Sequence, residues 1–147
     1  MPAPPDTAPL ARHPFEYAIV RIVPDIERGE RINAGIVLRC RPLRFLGARV
    51  FLDRTRLEAL FPACDADEIE AHLRSIERIA AGDEAAGPIA RLALAERFHW
   101  LVAPASTVIQ PSRPHTGLTA DPAATLEHLF ATLVLLPGNR PAEAVTG

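Results

Sequence analysis

Three apolar runs of alternating pattern fill the stretch from Phe15 to Leu52, joined by short polar connections. No other feature constrains the fold as much. Side chains on a strand point to opposite faces with a period of two, and short connections favour antiparallel neighbours. The first run, FEYAIVRIV, is β-branched and stops at Pro24. Tyr17, Ile19, Arg21 and Val23 share one of its faces, and Ala18, Val20 and Ile22 the other. PDIERGE follows as a polar connection, in which Gly29 is free to take positive φ. The second run, RINAGIVLRC, then sets Ile32, Ala34, Ile36, Leu38 and Cys40 on one face. Arg31, Asn33, Gly35, Val37 and Arg39 form the opposite, more polar face. Arg41-Pro42-Leu43-Arg44 reads as a turn and Phe45 to Leu52 as a third strand.

At Asp53 the period changes. Asp53 caps a short helix that carries Leu57, Leu60 and Phe61 and is stopped by Pro62. Asp65 and Glu68 have capping-box spacing ahead of Ile69, Leu73, Ile76 and Ala80, an amphipathic series that ends at Gly82. Pro88 opens a further helix with Ile89, Leu92 and Ala93, running to about Arg97. Residues 106–110 read as a fourth strand and PSRPHTGLTA as a loop. Asp121-Pro122 starts a last helix with the stripe Leu126, Leu129, Phe130, Leu133 and Val134. Strands first and helices after predict an α+β fold, a small antiparallel sheet of about four strands with helices packed on one face. The expected core is Val20, Ile22, Ile36, Leu38, Phe51, Leu73, Ile76, Leu126, Leu129 and Phe130.

At 147 residues, 48% hydrophobic and 23% charged, the chain suits one globular domain, expected over 15–136. Residues 1–14, with five prolines and no apolar core of a leader, are expected to be a disordered lead-in, and 137–147 a disordered tail. No apolar run approaches the roughly 18 residues that a membrane helix needs. Cys40 and Cys64 make neither a disulfide framework nor a metal knuckle, so a reducing cytoplasm is the expected setting. The net charge of −2 argues against nucleic-acid and membrane partners. Every basic residue is arginine, so an isolated arginine says little about anion recognition.

Phosphate-loop patterns are absent, and the Walker form needs a lysine this chain lacks. The five histidines, His13, His72, His99, His115 and His128, are scattered without a zinc spacing, and no nucleophile elbow occurs. No cofactor is expected. One segment stands out: Arg21, Asp25, Arg28, Glu30 and Asn33 gather around the connection between the first two strands. An arginine inside an apolar strand must find a partner if buried, and Asp25 or Glu30 lies close. The segment reads either as an ion-paired turn that fixes the hairpin or as a polar pocket for an anion or peptide.

The stretch YAIVRIVPDIERGERINAGIVL resembles the opening signature of the bacterial family called domain of unknown function 3037. Tyr17, Val20, Arg21, Val23, Pro24, Asp25, Arg28, Gly29, Glu30, Asn33 and Gly35 match its usual form, whereas Ile22 replaces the family's usual tyrosine. Glu96-Arg97-Phe98, Ser106-Thr107-Val108 and Asp121-Pro122 through Leu129-Phe130 are also family-like, so the resemblance runs from about Tyr17 to Leu135. It implies no activity. It implies a gene neighbourhood, since members are often encoded beside a HipA-like kinase, which points to a partner.

A second cluster joins Arg97, His99 and Trp100 to the loop Ser112 to Gly117, including His115, ahead of the last helix. Taken together, the residues predict an accessory or interaction module that binds a protein or peptide through the sheet's polar face or edge, with Asn33 and Gly35 on the contact surface. The alternative is a small enzyme or sensor for a phosphorylated or carboxylated molecule, using Arg21, Arg28, Arg97 and His115. Convergence of those four residues would favour the alternative, and dispersal the module.

Overall fold

In the computed structural model, residues 10–105 and 107–140 are described. Five antiparallel strands form one sheet: β1 (His13–Ile22), β2 (Ile32–Cys40), β3 (Phe45–Val50), β4 (Ile109–Pro111) and β5 (His115–Thr119). The order is β3-β2-β1-β4, and β5 pairs with the first half of β1 while β4 pairs with its end. Four helices follow from local signals, α1 (Arg54–Leu60), α2 (Ala66–Ala81), α3 (Leu94–Val102) and α4 (Pro122–Leu133). Asp53, Asp65 and Asp121 cap α1, α2 and α4, each accepting a hydrogen bond from the N–H three residues on. Gly82 ends α2 at φ 73°, where the N–H groups of Gly82 and Asp83 close on the carbonyls of Ile79 and Arg78. The α+β class and the antiparallel sheet agree with the sequence reading.

The helices, however, cover both faces. An irregularity in the β1–β2 register falls where Val20 pairs with Gly35 and Arg21 with Asn33, leaving Ala34 as the extra residue of a bulge. Strict alternation therefore breaks at Ala34. Ile32, Ala34 and Val37 join Val20 and Ile22 in a core with Leu57 of α1, Leu73 and Ile76 of α2, and Phe98 of α3. Ile36, Leu38 and Cys40 turn to the other side, where Leu126, Phe130 and Val134 pack with Phe15. The expected polar face of β2 thus does not exist as a solvent surface: a one-residue slip moves every later side chain to the opposite face.

Further differences have local causes. The supposed loop after β4 holds β5, because the first half of β1 would otherwise lack a ladder partner on that side. Gly117 lies against Phe15, whose ring would be 2.7 Å from a β-carbon added there, so the missing side chain lets the ring cover the strand. Ser112 bridges the gap between β4 and β5: its hydroxyl accepts from the Ile19 N–H at 2.8 Å while its own N–H donates to the Ile19 carbonyl. The helix expected from Pro88 divides into a 3₁₀ turn (Pro88–Arg91) and α3. Phe51 is 38% exposed and Leu129 only half-buried, whereas Leu52 enters the core.

The expected lead-in lies mostly outside the described residues, but His13 and Pro14 already belong to β1. Of the expected tail, residues 141–147 lie outside them too. Before these, Arg140 donates to the carbonyls of Ala131 and Thr132 and so closes the end of α4.

Candidate functional site

The residues singled out between β1 and β2 do not build a shared pocket. Asp25 accepts from the N–H groups of Glu27 and, at 3.5 Å, Arg28, an Asx-type turn that shapes the connection. Gly29 there takes φ 71°. Arg28 pairs with Glu30, Nε to Oε1 at 2.6 Å, and both side chains are exposed, so the pair adds little stability. Arg21 is not held by either carboxylate. Its Nη2 donates to the Pro111 carbonyl at 3.4 Å, its Nε is buried without a partner, and burial, with Arg31 adding to it, pulls its pKa below the usual value. The expected Arg21 ion pair is thereby corrected: strand direction carries the guanidinium toward β4 and away from the turn.

Asn33 and Gly35 are engaged inside the fold. Asn33 Nδ2 donates to the Leu133 carbonyl at 3.0 Å and so satisfies a group at the end of α4. A β-carbon on Gly35 would lie 2.9 Å from the Arg49 carbonyl oxygen and from a Val50 methyl group, so this glycine serves the approach of β3.

Arg97 is likewise structural in placement, donating to the carbonyls of Ile79 and Ala80 at the end of α2 and to Leu92. His115 lies beside the Tyr17 ring, with centroids 5.1 Å apart. Arg21, Arg28, Arg97 and His115 therefore each have separate surroundings and do not converge.

Two other places carry chemistry that sequence reasoning missed. Between α2 and β4 a pocket of about 340 Å³ is lined by Cys64, Asp65, Glu68, His72 and Thr107 among others. Burial pushes the Cys64 thiol up, away from the reactive thiolate. Among the described residues no group of three or more histidine, cysteine or carboxylate side chains is placed to hold a metal ion.

The outer edge of the sheet is the second place. Phe51 N–H donates to the Ala34 carbonyl at 2.8 Å. By the period of two, Phe45, Gly47 and Arg49 turn their backbone groups to β2, and Leu46, Ala48 and Val50 turn theirs outward. No hydrogen bond among the described residues closes that edge. Leu43 and Phe51, 42% and 38% exposed, flank it at the two ends.

No described helix is long and apolar enough to cross a membrane. Comparison with curated proteins and with solved structures gives no match. The model of a family described as "Protein of unknown function (DUF3037)" matches residues 17–134, from the Tyr17 strand to the end of α4. With most of its length inside that match, the chain belongs to the DUF3037 family.

Proposed function

We propose that this chain is a binding module that accepts an extended segment of a partner protein along the outer edge of β3. The observation that carries this reading is the open row of backbone groups at Leu46, Ala48 and Val50 on a sheet whose two faces are already covered by helices. Such an edge is a ready template for strand addition, in which main-chain hydrogen bonds supply affinity. Leu43 and Phe51 supply apolar ends for the incoming segment. The dispersal of Arg21, Arg28, Arg97 and His115 supports a module over an enzyme built on them.

The first partner to test is a HipA-like kinase, the partner to which the family resemblance points. Calorimetric titration of that kinase with the purified chain should show a complex. Ala48→Pro, which removes an outward N–H at an edge where proline is tolerated, should weaken it about tenfold, the equivalent of roughly one net hydrogen bond. Leu43→Asp should weaken it without touching the core. Absence of a complex, or wild-type affinity in Ala48→Pro, would overturn the reading.

A further inference from the structure

At the opposite end of β2 from Asn33, the β2–β3 turn and the first turn of α3 enclose a depression of about 780 Å³ lined by Arg39, Arg41, Arg44, Ala93, Leu94, Ala95 and His99. Three arginines and a histidine line it, from segments some fifty residues apart in sequence. Arg39 forms a fixed floor. Its side chain is 11% exposed, its guanidinium carbon lies 4.6 Å from the centre of the Phe98 ring, and its Nη2 donates to Glu16 at 2.6 Å. Its Nε is buried with no acceptor. Arg41 and Arg44 are exposed and make no ion pair among the described residues. Arg44 has φ 51°, the left-handed region that glycine normally occupies, so the turn that presents it is held against a backbone preference.

Among the described residues Glu16 is the one carboxylate paired with this group, so the three arginines together with Glu16 keep a net positive charge near two. A phosphomonoester, carrying about −1.5 to −2 at neutral pH, matches that excess, whereas a single carboxylate does not. Guanidinium forks suit its oxygens. Leu94 and Ala95 lie in the first turn of α3, where no side chain caps the helix, and the N–H groups before Arg97 have no acceptor within it. Glu96 in the same turn is the competing carboxylate of that helix. The volume exceeds what a lone phosphate fills and leaves room for the body of a small molecule or a side chain.

We infer that this depression is a binding site for a phosphomonoester, with Arg39 fixed against Phe98 as its floor and Arg41 and Arg44 as the reaching groups. The site stands independently of the β3 edge.

Calorimetry at constant ionic strength tests it, with inorganic phosphate as the probe and a phosphoserine hexapeptide beside its unphosphorylated form. Wild-type chain should bind phosphate saturably. The double variant Arg41→Gln/Arg44→Gln, altered at exposed positions, should bind it at least about tenfold more weakly. Glu16→Gln, which removes the internal competitor, should tighten binding several-fold, a change of sign that a purely structural role for the arginines does not produce. The peptide arm separates sources: tighter binding of the phosphopeptide than of phosphate assigns the phosphate to a protein, and equal binding to a free small molecule. Non-saturable phosphate binding by the wild type overturns the inference, as does equal affinity in the double variant. Should the double variant melt early, a wild-type melting temperature that phosphate does not raise overturns it equally.

Discussion

Asn33 shows how one side chain can be read two ways until its surroundings are known. Its amide hydrogen bond to the Leu133 carbonyl makes it a tether between β2 and the end of α4. Asn33→Ala should therefore lower stability by about 1–3 kcal/mol, the cost of leaving a part-buried carbonyl unpaired, and leave the proposed strand addition at β3 unchanged. Urea denaturation checks the first part and calorimetry the second. Arg44 predicts the reverse trade. Arg44→Gly relieves the left-handed strain and should raise stability by up to about 1 kcal/mol while weakening phosphate binding. The three aspartate caps were legible in the sequence because each depends only on residues three positions away. Arg21 was not, since its Pro111 acceptor lies 90 residues along the chain. The Arg39 floor needed Phe98 brought under β2, which no local spacing announces.

Among the elements, α2 carries the clearest electrostatics. Glu70 is held below the ordinary carboxylate value of 4.5 by hydrogen bonds from Arg54 and then from Arg74. Asp83 is held below its ordinary value by Arg78 and the Ala85 N–H. A carboxylate whose folded pKa is depressed adds stability that is complete above its unfolded value and is lost as pH falls through the folded one. Glu70→Gln should accordingly lower the melting temperature at neutral pH and flatten its fall below about pH 4.5, where the wild type loses the same contribution. Thermal melts across that range check the sign. β5 offers a geometric test: Gly117→Val drives a side chain into Phe15 and should free the strand from β1. Amides of His115 to Thr119 would then exchange faster with the rest of the sheet protected. α2 and α4 were read well because their apolar stripes repeat over several turns, as with Ile69, Leu73 and Ile76, whereas the short stretch after Pro88 lacks such a repeat and α3 was misplaced. β5 escaped because a five-residue strand with His, Thr and Gly lacks an apolar alternation and owes its existence to β1.

At the scale of the molecule, a sheet covered on both faces sets where recognition can happen. The class was legible from the order of strands and helices, but the placement of α4 was not. It depends on the bulge at Ala34, which sends Ile36, Leu38 and Cys40 to a second core. Two cores predict unequal responses to truncation. Leu73→Ala, at 1% exposure among α1, α2 and α3, should cost about 2–5 kcal/mol, and the half-buried Leu129→Ala distinctly less. With the faces covered by helices, the outer backbone of β3 is the surface left for strand addition. Hydrogen exchange of the Leu46, Ala48 and Val50 amides, in the free chain and in a complex with the proposed partner, a HipA-like kinase, tests it most directly. Fast exchange is expected at all three in the free chain and protection of all three in the complex. Protection already present in the free chain, or fast exchange that persists in the complex, would contradict it.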